Sequence, residues 1–352
     1  VPTYVLEGGS TVTLPGKPLT LRIQGNGGTR ARLVALRGGA PDHTAITPGP
    51  GMLVLPRVGE PVIVRAVPET GANFGSRAVV SLSAGIELHG DTDPERAVLS
   101  GVDLSGLAQR DLVEVARTGD RLTVTALGVI VDTPLPPLAS RARDLAREIL
   151  GAERVPTAEA TELQLVFDAS ASMRQFAADG SIAAAAEVYA GISRVTSADA
   201  GLQVVIAAAQ WHPLPEVAAE KLAPTVLEAI TAHPIATGFR ARGEVPSTRP
   251  QTVRCLISDG VPADMPIDED LTDGHRIQVA VLAAPPAWEV MRHRCPGPAV
   301  LFPTAEWGPS ELYQHLMSDD RALRTVVTEL LRGILPLDSA LQQRLGTPTG
   351  AR

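Results

Sequence analysis

Three short segments of this chain carry oxygen-bearing side chains at spacings that suit a hard cation. Asp168-Ala169-Ser170-Ala171-Ser172 follows the mostly apolar strand Leu163-Gln-Leu-Val-Phe167, Ser258-Asp259-Gly260 closes the mostly apolar strand Val253-Arg-Cys-Leu-Ile257, and the loop Ala236-Thr237-Gly238 lies between them. Asp168, Ser170 and Ser172 alternate along a turn, so all three can point at one spot while Ala169 and Ala171 stay out of the way. With Thr237 and Asp259 they offer two carboxylates and three hydroxyls. These are the donors Mg2+ takes, with Mn2+ or Ca2+ as the other hard cations such a set accepts. Two acidic groups leave a divalent ion with spare positive charge and an open position, which a carboxylate from another protein can fill. The chemistry expected is adhesion rather than hydrolysis. Ser and Asp also follow strands simply as helix caps and turn formers; recurrence at two strand ends, with a threonine loop between, favours the metal reading.

Neither the serines, histidines and cysteines nor the glycine-rich loop builds a catalytic, zinc or nucleotide site. Ser172 has no histidine placed by sequence to activate it, and no Gly-x-Ser-x-Gly elbow occurs, which argues against a nucleophilic hydrolase. Gly25-Asn-Gly-Gly28 lies between β runs with no helix after it to receive a phosphate, so it reads as a turn. His293-Arg-Cys295 brings two donors together where zinc needs three or four. Cys255, inside an apolar strand, reads as a small core residue. The acidic run Asp264 to Asp273 reads as a solvated loop that would raise the negative potential beside Asp259.

The elements that must position these groups change character part-way along the chain. From Tyr4 to about Val131 short β-branched runs alternate with Gly and Pro: Thr11 to Leu14, Leu19 to Ile23, Arg32 to Leu36, Met52 to Leu55, Pro61 to Arg65, Ala78 to Leu82 and Leu122 to Thr125. Leu19, Leu21 and Ile23 alternate with Thr20 and Arg22, the pattern of a sheet packed on one face, as in a β-sandwich. A Pro cluster at Pro134, Pro136 and Pro137 ends that pattern, a helix is expected from about Leu138 to Leu150 with Gly151 closing it, and Ala152 to Thr161 reads as a linker. Beyond it apolar strands alternate with helices: strands at Leu163–Phe167, Leu202–Ala208, Val253–Ile257, Ile277–Leu282 and Ala299–Phe302, helices at Ile182–Val195, Ala223–Ala232 and Pro309–Leu331. Continuous apolar runs buried on both faces predict a doubly wound parallel sheet, with ligands outside the carboxyl ends of its strands. The expected organisation is a β-sandwich over 1–135, a helix and linker over 136–160, a Rossmann-like α/β domain over 161–336 and a loose tail over 337–352.

Composition narrows the function classes. The 352 residues are 44% apolar and carry a net charge of −8, which gives no broad basic field for nucleic acid. Aromatic residues make up only 3%, too few for base-stacking or sugar-stacking platforms. Two cysteines make no disulfide framework, which points to a reducing compartment. No run approaches the roughly 18 apolar residues of a membrane span, and Val1-Pro2-Thr3 lacks a basic start and an apolar h-region. A cytoplasmic location is expected.

Asp168-Ala-Ser-Ala-Ser172, Thr237 and Asp259 resemble the metal-ion-dependent adhesion site of von Willebrand factor A domains. That resemblance implies that Ser170, Ser172 and Thr237 supply hydroxyl oxygens to the metal and that Asp168 and Asp259 act directly or through water. More narrowly, Ser172-Met-Arg-Gln-Phe-Ala-Ala-Asp-Gly-Ser-Ile182, Thr237-Gly-Phe239, Glu311-Leu-Tyr-Gln-His-Leu-Met317 and Gly333-Ile-Leu335 are similar to the A domain of tellurite-resistance proteins of the TerF type. In that group a TerD-type β-sandwich comes first, and Val5-Leu-Glu-Gly-Gly-Ser-Thr-Val-Thr-Leu14, His89-Gly-Asp91 and Val102-Asp-Leu104 are similar to TerD domains.

The resemblance implies a non-enzymatic scaffold in a bacterial stress-response assembly of the tellurite-resistance kind, with Ter-type proteins presenting a carboxylate as partners. TerD domains bind Ca2+ through acidic clusters, but the corresponding run here is Thr29-Arg-Ala-Arg-Leu33, and two arginines would repel a cation. Asp91, Asp93 and Glu95 remain as a weak second metal candidate, and strong Ca2+ binding by this domain is not expected. Two other classes stay open: a metal-dependent hydrolase of phosphoesters and a metal-independent interaction module.

Overall fold

A computed structural model describes residues 3–75, 77–86, 95–127, 134–197, 201–233, 236–241, 252–265, 276–295 and 297–345. The chain divides into two compact units, Val1–Thr133 and Pro134–Arg352.

The first unit contains β1 (Thr3–Leu6), β2 (Thr11–Pro15), β3 (Leu19–Gly25), β4 (Ala31–Arg37), β5 (Ala40–Pro41), β6 (Ile46–Gly49), β7 (Met52–Leu55), β8 (Val62–Pro68), β9 (Val79–Gly85), β10 (Arg96–Asp103), β11 (Arg110–Thr118) and β12 (Arg121–Ala126). They form two six-stranded sheets, ordered β1-β10-β9-β3-β7-β6 and β2-β12-β11-β8-β4-β5. The alternation in β3 places Leu19, Leu21 and Ile23 inward. With Leu33 and Val64 of the second sheet they share one aliphatic core. Burial of one face of each sheet, driven by removal of apolar surface from water, is what the period-2 pattern encodes.

β10 and β11 lie outside the runs legible in the sequence, and each carries a bulge. The register of β10 on β9 slips between Leu99 and Val102, where Gly101 adopts a φ of +72°. That of β11 on β8 slips between Asp111 and Val113, leaving Leu112 and Val113 both buried. An extra residue breaks the alternation from which a strand is read.

The second unit contains α1 (Pro137–Leu150), β13 (Glu162–Asp168), α2 (Met173–Ala178), α3 (Ser181–Thr196), β14 (Gly201–Ala207), β15 (Trp211–Pro213), β16 (Val217–Ala218), α4 (Leu222–Ala232), β17 (Thr252–Ser258), β18 (Arg276–Ala283), α5 (Pro285–Met291), β19 (Ala299–Pro303), α6 (Leu312–Ser318), α7 (Asp320–Ile334) and α8 (Ala340–Arg344). Its sheet runs β15-β14-β13-β17-β18-β19, with β16 also on β14. β14, β13, β17, β18 and β19 pair in parallel in that order, and β15 and β16 are antiparallel to β14. Every residue of β17 is buried. One face packs Leu165 and Phe167 against α1, α3, α4, α6 and α7; on the other, Val166 and Leu256 meet Trp288 of α5 and Phe239. The described helices therefore lie mostly on one face of the sheet.

Four expectations change. The division between units falls ahead of α1, because this helix packs on α3, with Leu138, Ala142 and Leu150 in the core of the second unit. Gly191 of α3 permits the approach: a Cβ there would overlap the carbonyl oxygen of Ala139. Gly151 caps α1 at a φ of +62°, as expected of a left-handed helix end. The segment Ala152 to Thr161 is not a free linker. Its Val155 N–H donates to Val195 O at 2.8 Å and its Thr161 N–H to Thr196 O at 3.0 Å, which fastens it to the end of α3. The long helix expected over Pro309–Leu331 is two helices, interrupted where the Asp319 carboxylate caps α7 by accepting from the N–H groups of Arg321 (2.9 Å) and Ala322 (3.1 Å). In the tail, α8 buries Leu341 and its neighbour Leu345; residues 346–352 lie outside the described residues.

Candidate functional site

β13 and β17 are adjacent and parallel, with Phe167 opposite Ile257, so Asp168 and Ser258 finish the two strands side by side. This register is the origin of the site. Asp168 is 1% exposed. A carboxylate so far from water needs donors, and three are supplied. Ser170 N–H donates to Asp168 Oδ1 at 2.7 Å, and the hydroxyls of Ser170 and Ser258 donate to Oδ2 at 2.9 and 2.6 Å.

The hydroxyl of Ser172 lies 3.1 Å from that of Ser170. Ser170 spends its single hydroxyl hydrogen on Asp168, so Ser172 is the donor of this pair, and the oxygen of Ser172, which is exposed, keeps lone pairs for another partner. Asp259 follows directly: its Oδ1 is 3.5 Å from Ser258 Oγ, and that oxygen also accepts from Gly260 N–H at 3.4 Å. Burial raises the pKa of Asp168; the hydrogen bonds from Ser258 and Ser170 oppose the shift, and repulsion from Asp259 adds to it. Asp259 thus adds to the cost of ionising Asp168, and a cation between them would relieve both burial and repulsion.

The threonine loop is brought to the same place by backbone contacts. Ala236 N–H donates to Ala169 O and Ala171 N–H to Ala236 O, both at 3.2 Å, which makes a parallel bridge between Ser170 and Ala236. Thr237 is therefore the residue immediately beyond a point held against Ser170, and it is exposed. Asp168, Ser170, Ser172 and Asp259 are joined through side chains, whereas Thr237 is joined to them through the backbone of its neighbour. A second anchor steadies the segment after α2. Asp179 accepts from Ser181 N–H at 3.0 Å and from Ser310 N–H at 3.1 Å.

Ser258 is the member that sequence reasoning undervalued, since Asp259 beside it drew the attention. The signal was present: a serine directly after Cys255, Leu256 and Ile257, at the end of a largely apolar strand, needs a partner. The parallel register identifies that partner as Asp168.

The weak second candidate is only partly visible. Asp91 and Asp93 lie outside the described residues, and Glu95 sits 4.0 Å from Arg121 Nη2. In the acidic run, Asp264 accepts from Ala241 N–H at 2.7 Å and so serves a turn, while residues 266–275 lie outside the described residues. Among the described residues no group of three or more His, Cys, Asp and Glu side chains is placed to hold a metal. The set at Asp168 is of another kind, two carboxylates supplemented by hydroxyls, and its oxygen-only chemistry fits a hard cation.

The chain matches no protein-family model and no curated protein sequence. Among the described residues no helix is long and apolar enough to cross a membrane.

Proposed function

We propose that this chain is a non-enzymatic scaffold that binds partner proteins through a metal ion at the ends of β13 and β17. Asp168, Ser170, Ser172, Thr237 and Asp259 hold Mg2+, or Mn2+ or Ca2+ in its place. The ion keeps net positive charge because only two carboxylates surround it, and it takes a carboxylate from the partner. In this reading the second unit is a von Willebrand factor A-like domain of the TerF type, the first unit is TerD-like, and the partners are Ter-type stress-response components in the cytoplasm.

One observation carries the proposal: a nearly fully buried aspartate, its pKa raised chiefly by burial and in small part by the Asp259 carboxylate, receives hydroxyls from two different strand ends. An acidic site built this way is costly without a cation and relieved by one. Calorimetric titration of Mg2+ into the wild type and into Ser170→Ala tests it, with binding expected only in the former. Capture of partner proteins that proceeds equally in chelator, or phosphoester turnover that disappears in Asp168→Ala, would favour the metal-independent module or the hydrolase instead.

A further inference from the structure

The sheet of the second unit ends at β19, and among the described residues no strand pairs with its outer edge. Val279 N–H donates to Pro298 O and Thr304 N–H to Ala283 O, both at 3.0 Å. Peptide groups alternate in direction along a strand, so residues 298, 300, 302 and 304 face β18, and Ala299, Leu301 and Pro303 face outward. The open row offers the N–H groups of Ala299 and Leu301 and the carbonyls of all three. This edge lines a groove of about 960 Å³ that also includes Ala322, Thr325 and Glu329 of α7, Trp288 of α5 and, beyond α7, Leu337. Leu337 is 76% exposed.

We propose that this groove receives a second copy of the chain, with the two β19 strands antiparallel about a two-fold axis at Leu301 and the two sheets continuous across it. An unpaired edge is a template for another strand, and a two-fold contact requires a surface complementary to itself. The outward row meets that requirement. Leu301 N–H and C=O of one copy pair with those of the other, and Ala299 N–H donates to the Pro303 carbonyl. The hydrogen that Pro303 lacks leaves one bond unmade in each copy.

The charges on α7 favour a copy of this chain over a foreign strand. Gln278, next to the residue that pairs with Ala299, donates to the carbonyls of Glu329 (3.2 Å) and Leu330 (3.1 Å), which sets Glu329 at the level of Ala299. From Glu329 back to Arg321 the helix climbs about 12 Å, close to the roughly 13 Å from Ala299 to Pro303 along the strand. Thr325 is thus level with Leu301, and the same axis sets Arg321 of each copy opposite Glu329 of the other. Arg321 is exposed, and Glu329 is paired within its own helix to Arg332. Ala322 and Thr325, small residues between the charges, allow the two helices to approach.

Sedimentation velocity and light scattering of the full chain across a concentration series test the proposal. The expected result is a dimer that Arg321→Glu or Glu329→Arg weakens by about tenfold or more, and that the double exchange restores. In a Cys295→Ser background, Thr325→Cys is expected to cross-link two chains under mild oxidation. Because the edge lies apart from Asp168, the dimer should persist in chelator, so this proposal and the metal site fail separately. A chain that stays monomeric at every concentration overturns it. So does a dimer indifferent to Arg321→Glu whose Thr325→Cys form does not cross-link, the result expected if the copies meet at another surface.

Discussion

The hydroxyl of Ser258 donates to Asp168 Oδ2 at 2.6 Å and so ties the last residue of β17 to the last residue of β13. Both residues are buried, with Ser258 at 2% exposure. The bond fixes the rotamer of the carboxylate from below while Ser170 holds it from the loop side.

Removal of that hydroxyl should be felt in stability before function. Ser258→Ala leaves a buried carboxylate short of one donor, which costs about 1–3 kcal/mol. Urea unfolding in chelator reads this directly, and a midpoint unchanged from the wild type would show that the bond holds nothing together. The same variant should bind Mg2+ more weakly, because the carboxylate is no longer locked in direction.

The pH dependence has a definite sign. Asp168 lies above the ordinary aspartate value of 3.8, chiefly through burial, so the folded chain holds this proton more tightly than the unfolded chain does. Its contribution to stability is fully present below that ordinary value and is lost as pH rises through the raised one. In chelator, Asp168→Asn should therefore gain in melting temperature relative to the wild type as pH increases from about 4 toward neutrality. A difference that stays flat with pH would contradict the assignment.

Metal addition should reverse that ranking at neutral pH. A ligand that binds only the folded state stabilises it by about 2.7 kcal/mol at a hundredfold excess over Kd. Mg2+ is thus expected to raise the melting temperature of the wild type and to leave Asp168→Asn and Ser170→Ala unmoved. An equal rise in all three would mean that the ion binds elsewhere.

Gly191 offers a test of how α1 belongs to the second unit. A methyl group there collides with the Ala139 carbonyl, a backbone atom that cannot swing aside, so Gly191→Ala should cost about 1–3 kcal/mol. Protection of α1 amides from hydrogen exchange should fall with it. Unchanged protection would show that the helix tolerates a wider spacing from α3.

The cysteines should differ in reactivity. Burial pushes the Cys255 thiol up to about 12, whereas Cys295 is half-buried and only raised from its ordinary value. A thiol reagent at pH 8 is expected to modify Cys295 in the folded chain and Cys255 only after denaturation, since the thiolate is the reacting species. Modification of both thiols without unfolding would show that β17 opens.

What the sequence determined by itself was whatever depends on neighbours along the chain. Alternation in Leu19, Leu21 and Ile23 and the continuous apolar run Val279 to Leu282 of β18 announced one sheet wetted on a face and another covered on both. Pro137 and Gly151 bracketed α1, because a proline suits the start of a helix and a glycine its left-handed end. The oxygen-bearing residues at Asp168, Ser170, Ser172 and Asp259 stood out for the same reason, as polar residues just beyond apolar runs, and Thr237 as the loop residue between them.

Only the tertiary structure decided what depends on register and on packing between distant segments. Bulges hid β10 and β11, since one extra residue shifts the buried side of a strand and erases the period. The docking of α1 on α3 moved the division between units, through a contact at Gly191 that no local pattern announces. Ser258 became a partner of Asp168 because two parallel strands align at Phe167 and Ile257, and strand registry is settled by the burial of whole faces rather than by any single residue.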